Sequence, residues 1–575
     1  MFIKKDKKSL FSIPVFSFFN KRFFSIILKF FGIIQIIVLV FFVYMAIALE
    51  KEEIKGLIHS VAQQTYWFGK MLTSLPIKWS NNILSDHPIL NIEIAPKNYQ
   101  LLMTMRDDAI KKAIASKEHK KYVPGVINYK NDKFDIRIRL KGDGTTTHYE
   151  DSKWSMRITL NNDRFMDMKT FSLQDPRRRS YMASFMLHKF TENEKLITKK
   201  FNLIPVSING KYMGIYNYEE VPDHNMTERL TGINNIVVIV DDDDRFEDMQ
   251  HVNLKNERHF SDVSDFYFSS VIKAHSFNDI LNDKILKKDF ERASKLLNGL
   301  RGGTLTASEV FDLDRTSLWL ALTDLFGAYH GVCTGNIKLI YDRDLDRLYP
   351  IVWDAFSENT WGSIAFHTFN LFKLSWVFDV LIGSCSRNTE MSNHMLFDQN
   401  LVEKYLTKLD EITSPEYIDN VMKNIRPQVD EYMNILNLEY PQLKIEDELK
   451  RLKENAEYLR NVYLYPELPF NAYLSEDEPQ NSLILVNRKP VPIKILSLID
   501  STTDQVFNVS EEYTDFILEN NIPGVPAAPI KVYFECPARD CFSKRKIENL
   551  RVKAKVVGTS KSTSIKINNW SAYAQ

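Results

Sequence analysis

The longest apolar run of the chain lies near its start, at residues 30–49, where Gln35 is the only strongly polar residue. About 20 apolar residues match the length of α-helix that crosses the hydrocarbon core of a bilayer. Several lysine and arginine residues precede the run, and Glu50 follows it directly. By the positive-inside rule, we expect a cytoplasmic basic segment at 1–29, one transmembrane helix at 30–49 and an extracytoplasmic main domain.

Two other interpretations of this apolar run remain open. Ala46 and Ala48 resemble the small residues before a signal-peptide cleavage site, but the apolar run and its leader are both long for a signal peptide. A buried core helix is the third interpretation.

After a predicted juxtamembrane helix and spacer at 50–89, alternation of apolar and polar residues predicts short strands at 91–95, 122–140, 154–160 and 169–173. Two further strand-like runs, 201–208 and 212–218, are joined by Asn209 and Gly210. Both residues tolerate the positive φ of a type I′ turn, so this segment predicts a β-hairpin. The sheet is therefore expected to be largely antiparallel.

Spacing typical of helices predicts a mainly helical region after this sheet. Its helical segments are 261–297, 314–329 and 400–464, with one hairpin predicted at 336–354, and two further predicted helices, 99–115 and 180–191, lie among the strands. Beyond Pro466 the pattern returns to short strands and turns. We therefore predict a small β-rich, sandwich-like domain at 480–575.

Composition narrows the class of protein. The 575 residues suggest roughly two to four folded units. With 19 Gly, 4 Cys and 12% aromatic residues, collagen, disulfide miniproteins and wholly disordered chains are excluded. The 74 basic residues balance 74 acidic ones, which argues against a general nucleic-acid binder.

The cysteines carry little information. Cys536 and Cys541 flank a turn-like stretch, and an extracytoplasmic location would permit a disulfide between them. Cys333 and Cys385 have no neighbouring cysteine or histidine cluster, so buried thiols are the default for both and zinc is not expected.

The predicted hairpin at 336–354 brings two oxygen donors together. If residues 343–347 form the turn, antiparallel counting places Asn336 opposite Asp354, with their side chains roughly 5 Å apart. An amide and a carboxylate so placed suit Mg²⁺, and kinase-type sites use this pair of ligands. The alternative is that Asn336 caps a strand and Asp354 starts the following turn.

A second group of residues suits a phosphate. The stretch 139–144 ends a strand in a turn that contains Gly142 and Gly144, and Lys153 opens the next strand. Backbone N–H groups of such a turn and a nearby lysine can bind phosphate. A plain hairpin turn and a solvent-facing lysine are the alternative.

Several segments, in this order, resemble the spore-coat CotH kinase-like family over about residues 90–465. They are IRIRLKGD at 136–143, KWSMRI at 153–158, KTFSLQDP at 169–176, NGKYMGIYNYEE at 209–220, Tyr329 with His330, Asn336, and PIVWD at 350–354. The resemblance implies an atypical protein-kinase fold that binds ATP and Mg²⁺. It also implies Lys153 or Lys141 near the phosphates, Glu220 as the partner of that lysine, and Asn336 with Asp354 as metal ligands.

The sequence departs from the family pattern at several positions. Family members often have a second acid two residues after the aspartate, where this chain has Phe356. Others have an aspartate near the position of His330. An imidazole there suits a general base, and a structural histidine is the equal alternative.

The expected fold class is thus α+β, with an atypical CotH kinase-like domain after one N-terminal transmembrane helix and a β-sandwich-like domain at the C-terminus. The expected function is a membrane-anchored kinase that transfers the γ-phosphoryl group of ATP, with Mg²⁺, to a hydroxyl of a protein or cell-envelope polymer. His330 and Asp354 are its expected catalytic residues. The alternative is a catalytically inactive scaffold for assembly of the cell envelope or surface polymers.

Overall fold

A computed structural model describes most of the chain from residue 87 to residue 569. The described ranges are 87–112, 114–144, 153–241, 266–275, 277–332, 334–355, 390–474, 481–489, 491–514, 517–518, 528–535 and 546–569. All of them belong to one compact unit, Ser85–Gln575. The apolar run at 30–49 and nearly all of the predicted spacer at 50–89 lie outside the described residues, as do the four cysteines Cys333, Cys385, Cys536 and Cys541.

Seven strands close into a barrel in the order β1-β2-β3-β4-β5-β7-β6. They are β1 (Leu90–Glu93), β2 (Val123–Tyr129), β3 (Asp132–Leu140), β4 (Met156–Leu160), β5 (Thr170–Gln174), β6 (Phe201–Ile208) and β7 (Lys211–Glu220). All neighbouring strands are antiparallel except β1 and β6, whose parallel pairing closes the barrel.

Apolar side chains that point inward from the strands fill the barrel. Ile136, Ile138 and Leu140 of β3 point inward and are completely buried, together with apolar residues of every other strand. The predicted β6–β7 hairpin is confirmed: Asn209 has φ 49° and Gly210 has φ 77°, both in the left-handed region that a type I′ turn requires.

A second sheet of four strands has the order β11-β10-β8-β9. Its strands are β8 (Val237–Val240), β9 (Ile272–Ala274), β10 (Lys338–Asp342) and β11 (Arg347–Ile351). The hairpin of β10 and β11 matches the predicted one at 336–354, but its register differs by one residue, because Asp342 pairs with Arg347 rather than with Leu348.

Helices make up most of the described residues from 224 to 459, and two further helices lie between strands of the barrel in chain order. They are α1 (Pro96–Lys111), α2 (Met182–Asn193), α3 (His224–Thr231), α4 (Phe266–Ser269), α5 (Phe277–Asn282), α6 (Lys284–Arg301), α7 (Ala307–Val310), α8 (Leu313–Phe326), α9 (Glu390–Leu396), α10 (Gln399–Ile412), α11 (Tyr417–Asn437) and α12 (Ile445–Leu459). Helix α8 is buried from Thr316 to Phe326, begins at the N-cap Asp312 and ends at Gly327. Its apolar side chains lie in the same core as those of α2, α10 and α11.

The C-terminal strands form one eight-stranded sheet rather than two stacked sheets. They are β12 (Phe470–Leu474), β13 (Ser482–Asn487), β14 (Ile493–Asp500), β15 (Gln505–Asn508), β16 (Ile517–Leu518), β17 (Ile530–Tyr533), β18 (Leu550–Val556) and β19 (Thr563–Asn569). A bridge between Val509 and Phe534 brings the segments that follow β15 and β17 together, so the sheet curves around one apolar core.

The predicted fold class is therefore wrong in its architecture. The chain is a mixed α/β protein with a closed seven-stranded barrel and a curved C-terminal sheet, in place of the predicted α+β kinase-like domain and β-sandwich. Among residues 87–569, no described helix is long and apolar enough to cross a bilayer, so the structure does not show the predicted transmembrane helix. The barrel was missed because its closure pairs β1 with β6, about a hundred residues apart, and a local pattern carries no signal for such a pairing.

Candidate functional site

Five charged side chains meet on the outer face of the barrel, beside β7. We call Lys141, Arg179, Lys199, Glu219 and Asp354 the charge cluster. In four of the five residues the exposed fraction is at most 8%, and Glu219 is completely buried. Charged side chains are rarely buried to this degree unless they are paired with one another or with a ligand.

Glu219 is the centre of the charge cluster. One of its carboxylate oxygens lies 3.0 Å from a guanidinium nitrogen of Arg179 and 3.4 Å from Nζ of Lys141. The other oxygen accepts a short hydrogen bond from Nζ of Lys199. Three cations therefore converge on one carboxylate.

Local structure explains how each cation reaches this point. Lys141 directly follows β3, and Gly142, at φ 98°, turns the chain away from the strand. Arg179 ends a short 3₁₀ turn, Pro176–Arg179, whose first N–H groups are capped by Asp175. Lys199 follows Thr198, which forms a parallel bridge with Val352, so Lys199 lies against the segment that carries Trp353 and Asp354.

Asp354 is the second carboxylate of the charge cluster. Its Oδ1 is 2.5 Å from Arg179 but out of line for a hydrogen bond, and its Oδ2 is 3.4 Å from Nε2 of His330. The residue has φ 48°, in the left-handed region that aspartate tolerates better than most residues. Nζ of Lys199 also lies 3.9 Å from the centre of the Trp353 ring, a cation–π contact.

The charge cluster has more cations than carboxylates. Burial lowers the pKa of Lys141 to about 7 and also lowers the pKa of Lys199. Burial alone would raise the carboxylate pKa values, but Arg179 and the lysines hold the pKa of Glu219 well below its usual range. In the same way Arg179 and His330 lower the pKa of Asp354. Three cations against two carboxylates leave one positive charge when Lys141 is protonated, which suits an anionic ligand.

The structure places one of the two predicted phosphate-binding lysines in this cluster. Lys141 is there, whereas Lys153 lies in a different group. Nζ of Lys153 contacts a carboxylate oxygen of Glu439 at 2.5 Å and donates to the carbonyl of Ile215 at 2.9 Å and to the hydroxyl of Tyr440 at 3.3 Å. Lys153 thus joins β7 to the chain just after α11.

The lysine partner in the cluster is Glu219, and the predicted partner Glu220 faces the other way. Glu220 pairs with Arg229 and accepts from the backbone N–H of Lys200 at 3.2 Å. Successive side chains of a strand point to opposite faces, so adjacent glutamates on β7 cannot share one site. The sequence analysis therefore pointed to the correct pair of adjacent acids but chose Glu220, which is one residue from the acid in the cluster.

Asn336 contacts His330 in this structure. It lies in a 3₁₀ turn before β10, and its Nδ2 donates to the carbonyl of His330 at 3.0 Å. The register expected to place Asn336 opposite Asp354 is one residue out, since Lys338 pairs with Ile351. Asn336 therefore supports the His330 segment, and His330 in turn reaches Asp354.

Asp354 offers a metal ligand of the type that Mg²⁺ prefers. Its Oδ1 is buried and accepts no well-aligned hydrogen bond, but it lies 2.5 Å from the Arg179 guanidinium, so a cation brought in with a nucleotide would have to take the place of that ion pair. The role of Asn336 as a second ligand stays a prediction, as does the presence of the metal.

One other group of the described residues has the spacing of metal ligands, namely Asp108, Glu118 and His119. A lysine already supplies the cation there. Nζ of Lys112 lies 3.0 Å from Asp108 and 2.7 Å from Glu118. We therefore regard this group as an ion-pair network on the surface.

Arg179 and Lys199 are the site residues that the sequence reasoning missed. Each lies in a run of basic residues, 177–179 and 199–200, which is usually a solvated face. A weak signal was available in KTFSLQDP at 169–176, which ends directly before Arg177 and which the resemblance had already singled out.

No known protein-family model matches this chain, and no curated protein matches it either. The resemblance to the CotH kinase-like family therefore rests on the ordered motifs alone.

Proposed function

We propose that this chain binds ATP at the charge cluster and transfers the γ-phosphoryl group to a hydroxyl of a protein or cell-envelope polymer. The observation that carries the proposal is the convergence of Lys141, Arg179 and Lys199 on Glu219, with Asp354 beside Arg179 and one positive charge in excess when Lys141 is protonated. Phosphoryl transfer is catalysed mostly by positioning and by stabilisation of charge on the phosphate oxygens, and buried cations supply both.

The proposed step uses His330 and Asp354 on the acceptor side. The oxygen of the acceptor hydroxyl forms a bond to the γ-phosphorus while the bond from that phosphorus to the bridging oxygen of ADP breaks. The hydroxyl proton passes to His330, which Asp354 orients through the 3.4 Å contact with Nε2. ADP leaves with the electron pair of the broken bond, balanced by Arg179 and the lysines.

Asp354 would hold Mg²⁺ through its carboxylate, in place of its ion pair with Arg179. The metal would neutralise charge on the phosphates, as it does in other phosphoryl-transfer enzymes.

A matched pair of lysines tests the binding half of the proposal. Lys199→Met removes a cation of the charge cluster, so we expect ATP to bind about tenfold more weakly, because a charge-assisted hydrogen bond is lost. Lys200→Met is the control, since Lys200 pairs with Asp167 on the other side of the strand. The measurement is calorimetric titration of the full-length chain with ATP and Mg²⁺.

Equal affinities for the two variants would contradict binding at the charge cluster. Transfer is checked separately with γ-labelled ATP and a mixture of envelope proteins and polymers. Tight ATP binding without transfer to any acceptor would favour the scaffold alternative.

The pH dependence of ATP binding tests the role of Lys141. Its folded-state pKa of about 7 means that above this pH the lysine must take up a proton when it binds a phosphate. We expect the affinity for ATP to fall about tenfold between about pH 7.5 and about pH 8.5, where phosphate esters are already fully ionised.

Lys141→Arg keeps a charged side chain over this range, so its affinity is expected to be nearly constant. The same slope in wild type and in Lys141→Arg would rule out Lys141 as the titrating group. The measurement is again calorimetric titration, with buffers of different ionisation enthalpy to count the protons taken up.

A further inference from the structure

The outer face of the C-terminal sheet carries a row of basic side chains along β18. In this strand Arg551, Lys553 and Lys555 alternate with apolar residues that lie in the core of the sheet. Alternation therefore places all three on the outer face, with successive residues about 6.8 Å apart. On the neighbouring strand β19, Lys566 lies directly opposite Arg551. We call Arg551, Lys553, Lys555 and Lys566 the basic face.

Like charges lie directly opposite one another at two places on this sheet. Arg551 pairs in register with Lys566, and Lys555 pairs with Lys494 of β14. Like charges at such cross-strand positions destabilise a sheet. Arrangements that lower the stability of the free protein occur where a function requires them, so these pairs indicate a ligand of opposite charge.

The described protein groups do not balance the charge of the basic face. Among the residues that the structure describes, no carboxylate forms an ion pair with any of its four members. Nη1 of Arg551 donates to the backbone carbonyls of Glu548 at 2.6 Å and Leu550 at 2.9 Å. Lys566 is exposed, and the other three members are half-buried, so their charged ends can reach a ligand at the surface.

We infer that the basic face binds a linear polyanion that has one phosphodiester group in each repeat. Three cations about 6.8 Å apart along one strand match the spacing of successive phosphates in an extended phosphodiester chain, and Lys566 adds a fourth cation beside the row. The inference does not depend on the proposed function, because no residue of the basic face belongs to the charge cluster.

The neighbouring side chains favour a polymer without bases over a nucleic acid or a membrane. Surfaces that bind single-stranded nucleic acid present aromatic side chains on which bases stack, and peripheral membrane binding is stabilised by apolar groups beside the cations. Apart from the basic face, the outward positions of β18 and β19 hold only Ser564 and Asn568. We therefore identify the ligand class as a chain of sugar or polyol phosphates.

The test titrates the full-length chain with an abasic deoxyribose-phosphate oligomer of about twelve repeats at several salt concentrations. Four phosphate contacts predict that log K falls with log salt with a slope of about −3, because each contact on a single strand contributes about −0.7. Lys553→Gln should weaken binding about fivefold and make the slope shallower by about 0.7. Lys531→Gln is the control, since it removes one charge from β17, four strands away in the same sheet, and should change neither quantity.

Lys566→Gln separates binding from folding. It removes one of two facing charges, so its unfolding temperature should equal or exceed that of wild type while its binding weakens as in Lys553→Gln. A lower unfolding temperature with unchanged binding would instead assign the basic face a structural role.

Three further results would overturn the inference. The first is absence of binding by wild type, and the second is an equal loss of affinity in Lys531→Gln, which would show attraction by overall charge alone. The third is a preference for another partner. Binding of oligothymidylate about tenfold tighter than the abasic oligomer of the same length would indicate stacking of bases. Binding to phosphatidylglycerol vesicles but not to the oligomer would indicate a membrane surface.

Discussion

Glu219→Gln is expected to lower the free energy of unfolding by about 3–5 kcal/mol, because it removes the carboxylate on which three buried cations converge. Asp354 is then the only carboxylate of the charge cluster, so the net charge of the cluster rises from one positive to two when Lys141 is protonated. Glutamine keeps the volume of the side chain, so the loss reports charge rather than packing. Urea unfolding of the full-length chain measures it.

Glu220→Gln is the matched control, one residue along the same strand. Burial raises the pKa of Glu220, so the ionised form is already disfavoured there and its loss should lower stability by less than about 1 kcal/mol. Because the folded-state pKa of Glu219 is lowered, its contribution is present in full above about pH 4.3 and declines as the pH falls below that value. Similar losses for the two variants at neutral pH would contradict the central role of Glu219.

Asp354→Asn is expected to separate ATP binding from phosphoryl transfer. The substitution removes a negative charge beside Arg179, so the affinity for ATP measured without Mg²⁺ should stay the same or increase, whereas ATP with Mg²⁺ loses the proposed metal ligand. The turnover number should fall about 10²- to 10³-fold, because His330 loses the carboxylate that orients it and general-base assistance is lost with it. Transfer from γ-labelled ATP gives the rate, and calorimetric titration gives the affinity.

Asp342→Asn, at the other end of the same hairpin, serves as the control for general damage to β10 and β11. Asp342 contacts Arg315 at 3.3 Å and lies away from the charge cluster. A turnover number that falls equally in both variants would point to distortion of the hairpin. An Asp354 variant that transfers phosphate at the wild-type rate would exclude His330 and Asp354 as the catalytic pair.

Local patterns predicted the elements of this protein well. The type I′ turn at Asn209 and Gly210, the hairpin of β10 and β11, and α8 are all present, because each depends on residues close together in the sequence. The register of β10 and β11 was predicted one residue out. A slip of one residue exchanges the two faces of a strand, so this small difference separated Asn336 from its predicted position opposite Asp354.

Part of the candidate site was also predicted from local patterns. Lys141, His330 and Asp354 were identified from motifs, since each lies in a stretch with a recognisable turn or strand end. Glu219 was passed over in favour of its neighbour Glu220, whereas Lys199, which lies in a run of basic residues, was not singled out and Lys153 was predicted instead. Which of two adjacent acids faces the charge cluster depends on what covers the strand, and that information lies in α2 and the turn that ends at Arg179.

The amino-acid sequence by itself determined the strands, the helices, the tight turns and the residue types available for phosphate chemistry, because these depend on backbone preference and on periodicity over a few residues. Only the tertiary structure decided that β1 and β6 close a barrel, and that three cations from 141, 179 and 199 meet one carboxylate at 219. Such contacts join residues tens of positions apart, and their stability comes from burial, which no local pattern encodes.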